Sequence, residues 1–467
     1  MEHWLVQRVE QTPHAIAVET ADGQWTFQQL FDLAQEYGVK LVSLNQGRIG
    51  LLVDNSIEAI ALIHGAWLFN IEIALINNRL TDIEIIKQMQ SIGVSTIIAT
   101  EKYRQRLASS SIATRFSCLT VSDILMIDEY RNLPDFQEAA IASIMFTSGT
   151  TGSQKAVPQS FANHKASAEG CFIHLGFDEH TRWLAVLPIY HISGLSIVIR
   201  SVLYGFTVYL MENFDEQQVM HAVQYKGLTH MSLVPLTMKR LMRAGLTAPY
   251  QLEKILLGGA KLEQDFVELA LSYQLPIYNS FGMTETCSQF LTASPEMLAE
   301  NPEAVGYMND QLVISHTNQD GHGELCVRGD NVMRGYLYPQ GLTDTFDEKG
   351  FFKTGDIASV DVHGFVVIHD RRKDLIISGG ENIYPNEIER VAKRHPDVSD
   401  AMCVGVKDDY WGQRPLLYLI AEHEIQDMDV FLAQSLAKYK LPQEILYVES
   451  LPYTSTGKLQ RQLLNGE

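Results

Sequence analysis

The sequence predicts an α/β protein with a large N-terminal domain of layered sheets and helices, a β-rich section, and a smaller C-terminal α/β domain. Three observations predict this class. Short apolar runs alternate with helix-like stretches up to about residue 310. Short β-like runs between Gly and Asp turns follow them, and a Gly-Gly turn with an amphipathic segment comes after residue 370.

The alternating pattern is clearest between Arg48 and Leu75. There the apolar run RIGLLVDN is followed by the helix-like stretch EAIALIHGAWLFN and by the apolar run IEIALI. A strand, a helix and a strand in this order predict a βαβ unit with parallel strands. The pattern recurs in WLAVLPIYHISGLSIVIRSVLYGFTVYL, in THMSLVPLTMKRLM, and in KILLGGAKL with LPIYNSFGM.

The β-rich section includes GELCVRG and GFVVIHD, whose turn-bounded runs indicate antiparallel strands. The segment DRRKDLIISGGENIYPNEIERVAKRHPDV then joins a basic stretch, a strand, a Gly-Gly turn and an amphipathic helix that begins after Pro385. We therefore place the end of the N-terminal domain at residue 370 and the small C-terminal domain at residues 374–467.

The composition is that of a folded globular protein. Of 467 residues, 46% are hydrophobic and 20% are charged, and there is no repeat or low-complexity tract. The N-terminal MEHWLVQRVEQTPH lacks the apolar stretch of a secretory signal or an anchor, and Arg200 interrupts the apolar run LSIVIRSVLYGF. We expect a cytoplasmic protein with no membrane insertion.

Cysteine spacing and net charge exclude several other classes. Five cysteines, at 118, 171, 287, 326 and 403, form no CxxC pair, which argues against a disulfide framework and against a zinc site. The net charge of -20 argues against a nucleic acid partner. Any phosphate site must therefore be built locally, from backbone N–H groups and a few cations.

One segment has the composition of such a phosphate site. The apolar run IASIMF leads into TSGTTGSQK, in which glycines let the backbone approach phosphates, hydroxyls donate hydrogen bonds and a lysine supplies charge. The glycines are too close together for a Walker A loop. A solvated Ser/Thr/Gly turn is the alternative interpretation. The candidate phosphate-binding residues are Thr147, Ser148, Gly149, Thr150, Thr151, Gly152 and Lys155.

Four further segments follow this loop in a fixed order: NSFGMTETCSQ (279–289), TGD (354–356), DRRKDLIISGGENIYPNEIE (370–389) and TSTGKLQR (454–461). With the loop, they resemble the motifs of the acyl-CoA synthetase, adenylation-domain and luciferase superfamily over nearly the whole chain. The resemblance implies an enzyme that activates a carboxylic acid by adenylation with ATP and Mg²⁺. Gln154 and Ala156 depart from that superfamily's usual proline and glycine, which puts the fine geometry of the loop in doubt.

Within that superfamily, LPIYHISGLS, FGMTETCSQ and GGENIYP are most similar to the branch of CoA ligases that activates 2-succinylbenzoate in menaquinone biosynthesis. The resemblance implies an aromatic acid, ATP and CoA as substrates. Three alternatives stay open: another aryl- or acyl-CoA ligase, a stand-alone adenylation domain, and a catalytically silent nucleotide-binding module. A homo-oligomer is also left open.

The resemblance assigns roles at the ATP site. Lys458 is expected to be the catalytic lysine of adenylation, although composition alone would make it a solvated lysine. Thr284 would contact the α-phosphate and Glu285 would bind Mg²⁺, with a helix N-terminus as the alternative for both. Asp356 would accept hydrogen bonds from the ribose, unless it only fixes a turn. The other expected ATP-binding residues are Gly258, Gly259, Phe281, Gly282, Met283 and Arg371.

The resemblance also implies an acyl site and a CoA site. His191 is expected beside the acyl pocket and in catalysis, although a lone histidine is often structural. The substrate's second carboxylate could be bound by Ser193, Thr286, Ser288 or Gln289, with Arg200 as a further candidate. A large rotation of a mobile small domain, with a hinge at residues 371–373 that includes Lys373, would separate the two half-reactions. Gly379, Gly380 and Trp411 are expected in the CoA channel, with a turn and a packed aromatic as alternatives.

Overall fold

The protein is described by a computed structural model that covers residues 2–126, 132–148, 154–259, 262, 264–315, 321–370, 376–383 and 385–452. The statements below refer to these residues. No helix within these ranges has the length and apolar character required to cross a membrane.

The strands and helices follow each other as the alternating pattern predicts. The strands are β1 (Ile16–Glu19), β2 (Gln24–Thr26), β3 (Arg48–Leu52), β4 (Glu72–Ile76), β5 (Thr96–Ala99), β6 (Ser117–Thr120), β7 (Ile141–Ser148), β8 (Gln154–Ser160), β9 (Arg182–Ala185), β10 (Thr207–Leu210), β11 (His230–Leu233), β12 (Lys254–Leu257), β13 (Ile277–Met283), β14 (Ser288–Ala293), β15 (Ala304–Tyr307), β16 (Leu312–Ser315), β17 (Gly323–Val327), β18 (Phe352–Val360), β19 (Phe365–Asp370), β20 (Ile376–Ser378), β21 (Glu381–Ile383), β22 (Val398–Asp408), β23 (Gly412–Ala421) and β24 (Glu444–Tyr447). The helices are α1 (Trp4–Gln11), α2 (Phe27–Ser43), α3 (Ile57–Leu68), α4 (Asp82–Ser91), α5 (Arg104–Ala108), α6 (Val121–Leu125), α7 (Phe161–Leu175), α8 (Ile192–Tyr204), α9 (Glu216–Tyr225), α10 (Pro235–Arg243), α11 (Gln264–Ser272), α12 (Pro295–Glu300), α13 (Pro385–Ala392) and α14 (Met428–Ala433).

Two sheets form the body of the N-terminal domain. One has the strand order β6-β5-β3-β4-β7-β8 and the other has the order β14-β13-β12-β11-β9-β10-β1-β2. Neighbours are parallel in both sheets except at the edges, where β8, β14 and β2 pair antiparallel. The prediction of largely parallel sheets is confirmed.

Helices α2, α3, α7 and α8 lie between the two sheets, as the alternation of side chains shows. On β9, Trp183 and Ala185 belong to the core shared with these helices, whereas Leu184 belongs to the core on the other face of the sheet. On β3, Leu51 faces the shared core and Leu52 faces the core outside the six-stranded sheet. Side chains that alternate in this way bury both faces of each sheet. The domain therefore has five layers: the two sheets, the helices between them, and the helices on the outer face of each sheet.

The helices of the central layer approach each other closely at two glycines. A Cβ atom on Gly38 of α2 would lie 2.5 Å from the carbonyl oxygen of Gly65 on α3, and a Cβ on Gly65 would lie 2.5 Å from that of Ala34. Glycine at both positions therefore permits a helix crossing that no side chain allows.

The β-rich section and the small C-terminal unit are largely antiparallel. The first is a five-stranded sheet in the order β15-β19-β18-β17-β16. The second has the order β21-β20-β23-β22, with β24 parallel to β23 and with α13 and α14 packed on one face. The predicted class, a large layered α/β domain with a β-rich section and a smaller α/β domain, is confirmed.

Two histidines are buried in an aromatic cluster of the central layer. His64 on α3 is 1% exposed, and neither of its ring nitrogens has a hydrogen-bond partner among the described residues. His3 lies with its ring centroid 6.2 Å away, and the cluster also contains Trp67, Phe136 and Phe161. Burial lowers the pKa of His64 to about 3.

We predict that His64 makes the protein less stable in acid. The unfolded chain takes up a proton on this histidine near pH 6.5, whereas the folded protein does so only near pH 3. The unfolded state therefore binds more protons between these values, and stability falls as pH falls through this window, by at most about 1.4 kcal/mol per pH unit. His64→Leu should reduce this slope when the free energy of unfolding in urea is measured from pH 7 to pH 4.

The matched control is His180→Leu, since His180 has a side chain that is 85% exposed. This variant should keep the wild-type slope. Equal slopes for wild type and His64→Leu would contradict the prediction.

Candidate active site

The carboxyl ends of both parallel sheets meet at one cavity of about 300 Å³. One sheet contributes Asn77 after β4 and Thr147 near the end of β7. The other contributes Leu233 of β11, Gly258 after β12 and Ser280 of β13. Loops that follow parallel strands carry ligand sites in α/β proteins, which makes this cavity the candidate active site.

The predicted phosphate loop connects two antiparallel strands at this cavity. Thr147 on β7 pairs with Lys155 on β8, and both residues line the cavity. Ser148 ends β7, beside the mouth of the loop. The predicted residues Gly149, Thr150, Thr151 and Gly152 lie outside the described residues.

The segment FGMTETCSQ forms a second hairpin against the same cavity. Its strands β13 and β14 pair Gly282 with Gln289, and a 3-10 turn at Thr284–Thr286 joins them. A Cβ atom on Gly282 would lie 2.0 Å from the carbonyl oxygen of Ser288, so only glycine permits this close pairing. Gly282, Met283, Thr284 and Glu285, all of them predicted ATP-site residues, line the cavity.

The 3-10 turn is held from two sides. Gln159 on β8 donates its side-chain N–H to the carbonyl oxygen of Thr284 at 2.8 Å, and Ser143 donates to the Gln159 Oε1 at 2.6 Å. The backbone N–H of Met333 donates to the carbonyl oxygen of Glu285 at 2.8 Å. The turn's orientation therefore depends on β8 and on the β-rich section together.

Glu285 has the environment expected of a magnesium ligand. It is 5% exposed and lines the cavity, and its Oε1 accepts a hydrogen bond from the Tyr336 hydroxyl at 2.9 Å. Among the described residues no three His, Cys, Asp or Glu side chains cluster as a metal site. Mg²⁺ that is bound by one carboxylate, phosphate oxygens and waters needs no such cluster, so Glu285 fits this ion.

The turn after β12 presents backbone to the cavity. A Cβ on Gly258 would lie 2.8 Å from the Ser280 Oγ, and Gly259 has a φ of +85°, which glycine adopts without strain. Ser280 itself donates to the carbonyl oxygen of Leu257 at 2.8 Å. Both glycines line the cavity.

Asp356 on β18 approaches the cavity from the β-rich section. It is 3% exposed, and its backbone N–H donates to the Thr354 Oγ1 at 3.0 Å. The preceding Gly355 has a φ of +76° and donates its N–H to Glu324 at 2.9 Å. These bonds aim Asp356 at the cavity, where it also lies as a lining residue. Arg371, its predicted partner, lies outside the described residues.

The predicted acyl-site residues His191, Ser193, Ser288 and Gln289 line the cavity, and so does Arg200. Arg200 on α8 is 1% exposed, and its Nε and Nη2 have no hydrogen-bond partner among the described residues. Its guanidinium carbon lies 5.8 Å from the Trp183 ring. A buried guanidinium with two unsatisfied N–H groups is costly, so an anion is the expected occupant of the space beside it.

The loop before α8 is fixed by a residue of the other sheet. Asn55 follows β3, donates to the carbonyl oxygens of Leu187 and Met211 at 3.1 Å each, and accepts from the Ile189 N–H at 3.0 Å. Gly194 follows, where a Cβ would lie 2.3 Å from the Pro188 carbonyl oxygen. This tight turn places His191 at the cavity wall.

The small domain closes one side of the cavity with Glu381. Its carboxylate lies 3.4 Å from both Arg79 Nη1 and His191 Nε2, and it accepts from Asn77 at 3.2 Å. Burial would raise the pKa of Glu381, but its neighbours His191, Arg79 and Asn77 outweigh this and lower it. Glu381 is therefore an ionised carboxylate that joins the small domain to the large one.

Lys440 makes a second contact between the domains. Its Nζ lies 2.7 Å from Glu84 Oε1 on α4 of the large domain and 3.0 Å from Glu387 Oε1 on α13 of the small domain. All three residues are at least 94% buried, with exposed fractions of 3%, 4% and 6% for Glu84, Lys440 and Glu387. Burial would lower the pKa of Lys440, but the two carboxylates outweigh it and raise that pKa.

Not every predicted residue reaches the cavity. Phe281 points into the core of the β-rich section, because neighbouring residues on β13 face opposite sides. Thr286 is fully buried and its hydroxyl donates to the carbonyl oxygens of Met283 and Ser288, so it is not available to the acid. Trp411 packs over Gly379 outside the cavity lining, whereas Gly380 lines it. Lys373 and Lys458 lie outside the described residues.

Sequence reasoning missed Tyr336, Glu381 and Lys440. Tyr336 lies in RGYLYP, Glu381 lies inside GGENIYP and Lys440 lies in KYKLP. Each acts through a contact with a residue far away in the sequence. Two local signals were present in the sequence. Glu381 directly follows a Gly-Gly turn, and Lys440 belongs to a Tyr-Lys pair that is separated from a proline by one leucine.

Comparison with protein-family models gives two matches. Residues 5–337 match the model described as AMP-binding enzyme, and residues 387–458 match the model described as AMP-binding enzyme C-terminal domain.

The chain belongs to the AMP-binding enzyme family.

A curated relative from Staphylococcus epidermidis, a 2-succinylbenzoate--CoA ligase, is 51% identical to this AMP-binding enzyme over 471 residues, which cover 100% of this chain and 98% of the relative. The resemblance predicted from LPIYHISGLS, FGMTETCSQ and GGENIYP is confirmed.

Two solved structures of o-succinylbenzoate CoA synthetase from Bacillus subtilis are 33% identical to this chain. A double mutant bound with its product analogue OSB-NCoA superposes with a TM-score of 0.93 and covers 99% of this chain and 98% of that chain. The complex with ATP and magnesium ion gives a TM-score of 0.76, with 99% of each chain covered.

Proposed function

We propose that this AMP-binding enzyme is an ATP-dependent acid:CoA ligase that converts 2-succinylbenzoate, ATP and CoA to 2-succinylbenzoyl-CoA, AMP and diphosphate, in menaquinone biosynthesis. The observation that carries the choice of acid is Arg200, a buried cation that lines the cavity. The identity to 2-succinylbenzoate--CoA ligases over the whole chain supports the same reaction. We place the enzyme in the cytoplasm, where its three substrates are available.

In the first step, a carboxylate oxygen of the acid attacks the α-phosphorus of ATP. A carboxylic acid is ionised at pH 7, so no general base is needed. A bond forms between the carboxylate oxygen and the α-phosphorus, the bond between the α-phosphorus and the oxygen that bridges to the β-phosphorus breaks, and diphosphate leaves with the electron pair. The phosphates would lie along Thr147, Lys155, Thr284 and Glu285, and Asp356 would bind the ribose. Mg²⁺, when bound at Glu285, neutralises phosphate charge.

Arg200 favours an acid with two carboxylates over the alternative acids. Benzoate and fatty acids carry only the carboxylate that is activated, which must lie at the phosphates. The guanidinium would then remain buried without a partner, at a cost of several kcal/mol. Succinylbenzoate carries a further carboxylate on its ring, which would accept hydrogen bonds from Nε and Nη2. Ser193, Ser288 and Gln289 would add polar contacts beside it.

We predict that Arg200→Met lowers kcat/KM for 2-succinylbenzoate by roughly 100-fold, because a desolvated charged pair is lost. The same substitution should change the value for 4-oxo-4-phenylbutanoate, which lacks the ring carboxylate, by less than about threefold. Acid-dependent exchange of diphosphate into ATP measures both, over a panel that also includes benzoate, fatty acids and amino acids.

The matched control is Arg243→Met at an exposed arginine of α10, which should leave both values unchanged. Equal losses for both acids in Arg200→Met would argue against a carboxylate contact. If no acid of the panel supports diphosphate exchange by the wild type, the result would favour a catalytically silent nucleotide-binding module.

In the second step, the CoA sulfur attacks the acyl carbon. A sulfur–carbon bond forms, the carbon–oxygen bond to AMP breaks, and AMP leaves with the electron pair while the thiol loses its proton. We propose that the present domain arrangement serves this step. Support comes from the TM-score of 0.93 with the product-analogue complex, against 0.76 with the ATP and magnesium complex of the same enzyme. Gly380 would then line the path of the CoA thiol, with Gly379 and Trp411 farther out.

The first step requires another arrangement of the small domain. We propose that residues 371–373, including Lys373, form the hinge between the domains at 1–370 and 374–467. Rotation about it would bring Lys458 to the carboxylate and the α-phosphate. Closing the site differently for each step protects the acyl-adenylate from water.

We predict that Lys458→Ala abolishes diphosphate exchange, with a loss of more than about 100-fold, because its charge acts on the adenylation transition state. Thioester formation from supplied acyl-adenylate and CoA should stay within about twofold of wild type. Normal exchange in this variant would refute the assignment of Lys458.

Lys440→Met should have the opposite effect. Without the lysine, Glu84 and Glu387 face each other as buried carboxylates, which costs about 3 kcal/mol in this domain arrangement only. Thioester formation from supplied acyl-adenylate should fall by roughly 100-fold, while diphosphate exchange changes by less than about threefold.

Lys438→Met is the matched control, since this lysine is exposed two residues away. It should leave both half-reactions unchanged. A similar loss of both half-reactions in Lys440→Met would show that the buried ion pairs support the fold and not one domain arrangement.

A further inference from the structure

The segment Met333–Tyr338 of the β-rich section is bonded to both motifs that form the phosphate end of the cavity. The N–H of Met333 donates to the carbonyl oxygen of Glu285 at 2.8 Å. The N–H of Leu337 donates to the carbonyl oxygen of Ala156 at 2.9 Å, and the N–H of Ala156 donates to that of Tyr338 at 2.7 Å. Its backbone is therefore fixed relative to β8 and to the 3-10 turn.

Tyr336, in the middle of this segment, contacts the charged side chain of each motif. Its hydroxyl donates to Glu285 Oε1 at 2.9 Å, and Lys155 Nζ lies 4.6 Å from the centroid of its ring. All three side chains line the cavity. One tyrosine thus contacts the carboxylate with its polar end and the ammonium with its aromatic face.

The Lys155 ammonium and the Glu285 carboxylate have opposite charges. Without a residue between them, they could form a direct ion pair. In a poorly solvated cavity a lysine and a glutamate attract each other strongly, and a direct ion pair would use the ligands that a metal ion and a phosphate require. The hydrogen bond from the Tyr336 hydroxyl occupies Oε1 of Glu285 and fixes the orientation of the carboxylate, so that Oε2 is left for the metal ion. The face of the Tyr336 ring keeps the Lys155 ammonium at a defined position.

We propose that Tyr336 is a positioning residue for adenylation, which holds Glu285 and Lys155 at the separation that binds a Mg²⁺–triphosphate. This inference rests on the proposed function and adds a residue to its ATP site. Tyr336 acts through Glu285 and Lys155, so its substitution should change the binding of the metal–nucleotide complex and should not change the thioester step.

Tyr336→Phe removes only the hydroxyl and tests the contact with Glu285. ATP affinity is measured by calorimetry with and without Mg²⁺, in the absence of acid and CoA. Affinity without Mg²⁺ should stay within about twofold, whereas the gain in affinity that Mg²⁺ provides should fall by about tenfold. The Mg²⁺ concentration for half-maximal diphosphate exchange should rise by about tenfold, and thioester formation from supplied acyl-adenylate should not change.

Tyr336→Leu removes the ring as well and tests the contact with Lys155. It should weaken ATP binding without Mg²⁺ by a further factor of about three to ten, because the ammonium loses its aromatic partner. The control is Tyr338→Phe, which removes the hydroxyl of an exposed tyrosine two residues away from Tyr336. This variant should behave as wild type in every measurement.

An unchanged Mg²⁺ dependence in Tyr336→Phe overturns the inference. So does a loss of both half-reactions together with a lower melting temperature, since that would make Tyr336 a residue of the fold. If the wild type exchanges diphosphate with 2-succinylbenzoate while Tyr336→Phe is unaffected, only this inference fails. A wild type that exchanges with no acid refutes the proposed function itself.

Discussion

Parallel strands in two separate sheets direct their carboxyl ends at the same cavity, and the position of each candidate side chain depends on this arrangement. The central helices pack against both sheets, and α2 and α3 approach each other closely at Gly38 and Gly65. Asn55 then ties the end of β3 to the loop after β9 by two hydrogen bonds and to Met211, directly after β10, by a third. Loops from the two sheets can therefore act as one site, although they are far apart in the sequence.

Among the described residues, three cationic side chains line the cavity, two of them beside aromatic rings and one between carboxylates. The protein has a net charge of -20, so a polyanionic substrate is attracted only by local groups. Arg200 lies beside the Trp183 ring, Lys155 lies over the Tyr336 ring, and Lys440 lies between two carboxylates. Arg200 lines the cavity with two N–H groups that have no partner among the described residues, so a ligand anion can neutralise it. Lys440 is already neutralised, which is the pattern of a contact that stabilises one domain arrangement.

Much of the fold was predictable from the sequence, because its signals are local. Strand and helix periodicity predicted the βαβ units, and the motif order predicted that Thr147, Lys155, Glu285 and Asp356 share one site. A motif does not predict which of its side chains reach the cavity. Phe281 faces the core of the β-rich section because adjacent residues of β13 face opposite sides, and the turn buries the hydroxyl of Thr286. Strand alternation could have excluded Phe281. Tyr336, Glu381 and Lys440 were not predictable, because their partners are set by tertiary contacts.

Glu381 and Lys440 make charged contacts between the two domains, and contacts of this kind favour reversible motion. A buried ion pair gains strong Coulomb attraction but loses hydration, so its net contribution to stability is small. If Glu381 and Lys440 moved away from His191 and Glu84, water would hydrate all four groups and replace most of the lost attraction. An apolar interface of the same size has no such compensation, because its separated faces gain nothing from water. Charged contacts therefore specify where the small domain rests without holding it there permanently, which suits the two arrangements that we propose for the two half-reactions.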